Sequence, residues 1–90
     1  MEEVTIKKPT KKELEKKGVF SWPIWEKEAS RFRWFYEKEE HCYIIKGEVT
    51  VEAGNKKYHI KQGDYVIFPK GLRCIWDIKS HCQKHYEFGD

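Results

Sequence analysis

Ninety residues, 39% of them hydrophobic and 16% aromatic, supply the core of one domain and leave no room for a second. Charged residues reach 37%, nearly all Lys and Glu, yet the signs are interspersed and the net charge is only +3. That balance excludes a disordered chain and a dedicated basic surface for nucleic acid.

No apolar run has the length of a membrane span, and the opening residues MEEVTIKK do not read as a secretory signal. The three cysteines, Cys42, Cys74 and Cys82, are an odd number without a CxxC pair. They form neither a disulfide framework nor a zinc ribbon, so a reducing, cytoplasmic setting is expected. The Lys/Glu excess, with one Asn and two Gln, resembles the composition of heat-adapted proteins.

In chain order, residues 4–7 (VTIK) predict a short strand. Thr10 and Glu13 fit a capping box at the start of a short helix, Leu14 gives that helix one apolar contact, and Gly18 suits a left-handed C-terminal cap. From Val19 onward the pattern is β. The stretch VFSWPIW (19–25) reads as an edge or kinked strand because of Pro23. Residues 31–36 form the next strand, with Phe32, Trp34 and Tyr36 on one face, and a charged corner follows at 37–40. Residues 41–46 are apolar on both faces, and Gly47 marks a turn or bulge.

Residues 48–53 alternate with Val49 and Val51 inward, Gly54-Asn55 predicts a hairpin, and 57–60 return with Tyr58 and Ile60 inward. Residues 65–68 form a buried strand stopped by Pro69. Leu72, Cys74, Trp76 and Ile78 then alternate with polar or outward residues, and 84–88 predict a last strand. Short strands punctuated by Gly and Pro, with no helix between them, mean an all-β antiparallel barrel or sandwich.

Two stretches carry a resemblance. Glu40 to Gly47 resembles the end of the first cupin motif, a Glu, six residues and a Gly. Gly63 to Cys74 (GDYVIFPKGLRC) resembles the second: Gly, five residues, Pro-x-Gly, two residues and a His, here replaced by Cys74. The chain is therefore identified as a single cupin domain over residues 1–90, with a motif 1 remnant at 34–47 and motif 2 at 63–78. The implied fold is an antiparallel jelly-roll β-barrel with a short N-terminal helix. Pro69, Gly71, Leu72, Cys74, Trp76 and Lys84-His85-Tyr86 resemble the branch similar to ureidoglycine aminohydrolase and ethanolamine-utilisation protein Q.

The family's chemistry rests on a metal held by an H-x-H pair, the motif 1 Glu and the motif 2 His. Here the H-x-H positions fall on Trp34 and Tyr36, or on Arg33 and Phe35 with the longer spacing. Only Glu40 survives, and Cys74 offers a thiol in place of imidazole. The metal candidates are thus Glu40 and Cys74, and the cofactor expected is none or a weakly bound divalent metal. His81 and His85 stand too far apart on a strand, about 13 Å at ~3.3 Å per residue, to share one ion.

Strand alternation places Trp34, Tyr36, Glu40, Cys42, Cys74 and Trp76 around one cavity. Glu40, if buried, must meet a cation, accept hydrogen bonds from a phenol or indole, or reach water. The plain alternatives are a hydrogen-bonded structural carboxylate, apolar buried thiols and aromatics that fill the core. The reading is a small-molecule-binding barrel whose His ligands are lost. An alternative is an enzyme with a metal or acid/base site built on Glu40 and Cys74. A third is a structural interaction domain. The doubly apolar strand at 41–45 and the aromatic segment 19–25 suggest a covered sheet face, and a homodimer is the expected way to cover it. No nucleic-acid or membrane partner is expected.

Overall fold

The structure, a computed structural model, describes residues 3–89. Strand β1 (Thr5–Lys7) is followed by helix α1 (Lys11–Lys17), a 3₁₀ turn (Val19–Ser21) and strands β2 (Ile24–Lys27) and β3 (Ser30–Phe35). Strands β4 (Glu40–Ala53), β5 (Lys56–Lys61), β6 (Tyr65–Phe68) and β7 (Arg73–Phe88) complete the chain. Every pairing is antiparallel, as expected.

The two long strands β4 and β7 pair with each other and organise the rest. β4 also pairs with β6 through Glu40–Tyr43 and with β5 through Glu48–Ala53. β7 also pairs with β3 through Arg73–Ile78 and with β2 through Cys82–His85. One antiparallel sheet therefore folds over on itself, and the core lies inside the fold. It is built around Tyr36, Cys42, Ile44, Val51, Phe68, Trp76 and Ile78.

The bend in β4 has a local cause. The register between β4 and β7 shifts around Lys46 and Glu48, which brackets Gly47 with a β-bulge. Gly47 has φ +97°, and a Cβ there would collide with the His81 carbonyl oxygen and lie 2.9 Å from Cys82 Cα. Only glycine lets the two strands approach so closely at this point.

Helix α1 forms as the sequence predicts. Thr10 accepts a hydrogen bond from the Glu13 N–H (3.2 Å) and the Thr10 N–H donates to Glu13 Oε1 (2.8 Å). Gly18 closes the helix with φ 75°. Three expectations need correcting. Val19–Ser21 is a 3₁₀ turn rather than strand, because the left-handed Gly18 redirects the chain. Glu40 belongs to β4 and is buried, not part of the charged corner. The two strands expected at 72–79 and 84–88 are one, because 79–83 continue in pairing with β4 and β2.

The outer face of β4 is covered from within the chain. Leu14, Val19 and Tyr65 form a second apolar cluster, against which Trp22, Tyr43 and Ile67 pack. Phe20 adds an edge-to-face contact to Tyr43 at 6.1 Å. Part of the face expected to meet a second subunit is thus covered within the chain, while Phe20 and Ile24 stay exposed beside it.

Candidate functional site

The start of β4 and the last third of β7 bring Glu40 and Lys84 together. On β7, the inward parity of Cys74, Trp76 and Ile78 is interrupted at the exposed Ser80, where the register with β4 shifts, and resumes at Cys82 and Lys84. Lys84 Nζ donates to Glu40 Oε2 at 2.6 Å, and both side chains are buried. The same ammonium lies 4.5 Å from the centroid of the Trp76 ring and 4.9 Å from that of Trp25. A carboxylate on one side and two indole faces on the other hold the charge out of water.

Above this pair is a cavity of about 200 Å³, lined by Trp25, Phe32, Trp34, Tyr36, Glu40, Trp76, Lys84, Tyr86 and Phe88. Trp76 is its central wall. Phe32 stacks near-parallel to it at 6.2 Å, and Trp25 meets it edge-on at 5.9 Å. Two buried polar atoms of the lining residues have no hydrogen-bond partner within the protein: Glu40 Oε1 and Trp76 Nε1. Both atoms are closed off from solvent, with the Tyr36 phenol beside Glu40 and the Cys74 thiol beside the Trp76 indole.

Electrostatics follow from burial. Burial alone would lower the Lys84 pKa, but the Cys42 and Glu40 side chains facing it reverse the sign and hold it above its ordinary value. Cys42 is itself pushed far up by burial and keeps its proton, so Glu40 is the counterion. The Tyr36 phenol is pushed well above its usual range, first by burial and then by the Glu40 charge. Burial, helped by Glu40, pushes the Cys74 thiol up to about 11, against smaller opposing effects of Lys84 and Trp76.

Of the six expected pocket residues, Tyr36, Glu40, Trp76 and Trp34 line the cavity. Trp34 is not deep inside, however. It is 48% exposed at the mouth, because β3 pairs only with β7 and leaves its other edge open. Cys74 instead lines a neighbouring, broader groove of about 720 Å³ with Arg33, Phe35 and Glu52. Cys42 is fully buried in the core and lines neither space.

The residue that sequence reasoning missed is Lys84. Its parity with Trp76 was the available signal, obscured by treating 79–83 as a break. His81 and His85 turn to separate partners, the Glu26 carboxylate at 2.8 Å and the Trp22 carbonyl at 3.0 Å. His41 bonds Tyr65 at 2.7 Å, away from the cavity.

A metal of the kind the cupin pattern implies does not suit these donors. Glu40 is already paired with an ammonium through one of its oxygens, Cys74 holds its proton, and Trp34 and Tyr36 stand at the H-x-H positions. Among the described residues, no three His, Cys, Asp or Glu side chains converge to hold an ion. Among the described residues, no helix is long and apolar enough to cross a membrane.

Comparison with known proteins gives the family. The chain superimposes on a DUF861 family protein from Thermotoga maritima with a TM-score of 0.94 and 50% identity, covering 97% of this chain and 100% of that one. It superimposes on a putative ethanolamine utilization protein Q from Salmonella typhimurium with a TM-score of 0.67 and 20% identity, over 72% of this chain and 53% of that one. The Clostridium difficile EutQ protein matches with the same TM-score of 0.67 and 20% identity, over 72% and 52%. The chain thus spans about half the length of these EutQ proteins, and at that identity they show the fold alone. No curated protein matches it. The family model for the EutQ-like cupin domain matches residues 14–86, and the chain belongs to the EutQ-like cupin family.

Proposed function

We propose that the chain is a small-molecule-binding cupin whose polar centre is the Lys84–Glu40 pair rather than a metal ion. The observation that carries this reading is the buried ion pair at the base of an aromatic-walled cavity. At about 200 Å³ the space is below the roughly 300–1,000 Å³ of drug-sized sites, so it suits a fragment-sized molecule. Lys84 supplies the fixed positive charge that a metal would otherwise supply, and Glu40 neutralises it.

Binding is favoured over a catalytic site on Glu40 and Cys74. The Cys74 thiol, with a pKa of about 11, is a poor nucleophile at neutral pH and lines the other groove. Elemental mass spectrometry of untagged, unchelated protein tests the proposal, together with thermal-shift titration of metal-stripped protein against small aromatic fragments. Well under one metal ion per chain and ligand-dependent increases in Tm are expected. Stoichiometric iron, manganese, nickel, copper or zinc would overturn the reading in favour of a metalloenzyme.

A further inference from the structure

Arginine is scarce in this chain and unevenly placed. The sequence holds 15 Lys but only three Arg: Arg31, Arg33 and Arg73. Pairing of β3 with β7 sets Arg31 opposite Asp77, Arg33 opposite Ile75 and Phe35 opposite Arg73. All three arginines therefore share the outward face of the sheet.

Their surroundings differ. Arg31 is neutralised, since its guanidinium reaches Glu52 at 2.9 and 3.3 Å and Asp77 at 3.2 Å. Among the described residues, Arg33 and Arg73 have no carboxylate partner. They are diagonal neighbours across the β3–β7 ladder, where side chains this long reach each other and like charges repel. The Arg73 guanidinium lies over the Phe35 ring, 4.9 Å from its centroid, a contact that restrains its position.

Both residues line the broad groove of about 720 Å³, together with Trp34, Phe35 and Ile75. That volume lies within the usual range of small-molecule sites. Two carboxylates also line it. Glu52 is taken by Arg31, and Glu37 is exposed and pairs with neither arginine. Lysine, the common cation of this chain, would supply the same charge. Arginine adds a planar fork that meets a carboxylate or phosphate through two parallel hydrogen bonds. An oxyanion seated between the two guanidinium groups would also relieve their mutual repulsion.

We infer that this groove is a second binding site, for a small organic anion. Arg33 and Arg73 hold its carboxylate or phosphate, and its apolar body lies against Phe35 and Ile75. The groove shares only Trp34 with the Lys84–Glu40 cavity, so this site stands whether or not that cavity takes a ligand.

The experiment uses ¹⁵N-labelled protein at constant ionic strength, slightly below neutral pH, with the three Arg Nε–H signals as reporters. Benzoate, phenyl phosphate, benzamide, acetate and inorganic phosphate are titrated in turn. Benzoate or phenyl phosphate is expected to shift the Arg33 and Arg73 signals while that of Arg31 stays in place, and the tighter of the two identifies the head group. It should bind at least about tenfold tighter than neutral benzamide or the bare anion. Arg33→Lys and Arg73→Lys keep the charge and remove the fork, and each should weaken it about fivefold or more. Both positions are exposed, so the variants should fold. Equal binding of benzamide, equal binding of the bare anion, or undiminished binding in both lysine variants would overturn the inference. So would equal shifts at all three arginines, which mark charge screening, or shifts at the Trp25 and Trp76 indoles with none at Arg33 and Arg73, which place the anion in the cavity. Absence of any shift with all five probes would overturn it as well.

Discussion

Lys84 Nζ lies 2.6 Å from Glu40 Oε2 and 4.5 Å from the centre of the Trp76 ring, with all three side chains buried. Two strands far apart in sequence thus place one charge of each sign in the same apolar interior. Burying either charge alone is costly, and together they are tolerated because each satisfies the other.

That coupling is measurable. Glu40→Gln or Lys84→Met alone leaves one buried charge unpaired and should cost about 3–5 kcal/mol in urea unfolding. The double variant removes both charges and should recover a large part of that loss. A double-mutant cycle that comes out additive would show that the pair is not coupled.

Alkaline pH should weaken the fold. Cys42, Cys74, Cys82, Tyr36 and Lys84 all have pKa values raised by the fold. A group raised in the folded state contributes stability that is complete below its unfolded pKa and is lost as pH climbs through the folded one. The loss should start near the unfolded thiol pKa of about 8.5 and deepen past about 10, where Tyr36 and Lys84 join. Tm measured from pH 7 to 11 checks this, and replacing the three cysteines with Ala should flatten the first part of the decline.

Gly47 and Gly54 separate two effects of glycine. Both have positive φ, but a Cβ at Gly47 meets the His81 backbone, whereas at Gly54 it meets nothing within 4 Å. Gly54→Ala should cost only the left-handed conformation, about 1–2 kcal/mol. Gly47→Ala adds a clash with backbone and should cost clearly more, read as a larger drop in the urea midpoint.

Trp34 and Trp76 should divide ligand access from stability. Trp76→Ala empties the central wall of the core and should cost about 3–5 kcal/mol. Trp34→Ala, at the mouth and half-exposed, should change stability by about 0.5 kcal/mol or less and weaken fragment binding several-fold. Parallel unfolding and binding titrations check the contrast.

Much of this could be read from residue pattern. The capping box at Thr10 and Glu13, the cap at Gly18 and the hairpin at Gly54-Asn55 depend on a few neighbouring residues, and they form as expected. The inward sets Val49/Val51 and Cys74/Trp76/Ile78 follow from the two-residue period of a strand. Motif spacing around Glu40 and Gly63–Cys74 was enough to indicate the cupin fold.

Three features escaped because they depend on non-local geometry. Lys84 was not among the expected cavity residues, because its place there depends on β7 continuing from Arg73 to Phe88 and on the inward parity resuming after Ser80. Trp34 has the parity of a pocket residue, but the open edge of β3 leaves it at the mouth. The covering of Tyr43 by Leu14, Val19 and Phe20 required knowing where the N-terminal segment folds back.

Local chemistry therefore settled the strand pattern, the caps and turns, and which cupin ligands are missing, since these rest on backbone preferences and residue identity at fixed spacing. Which charges share a buried site, and which aromatic rings wall it, was decided only when β4 and β7 folded against each other. Burial and pairing energies depend on distances between residues 44 positions apart, and no local pattern encodes them.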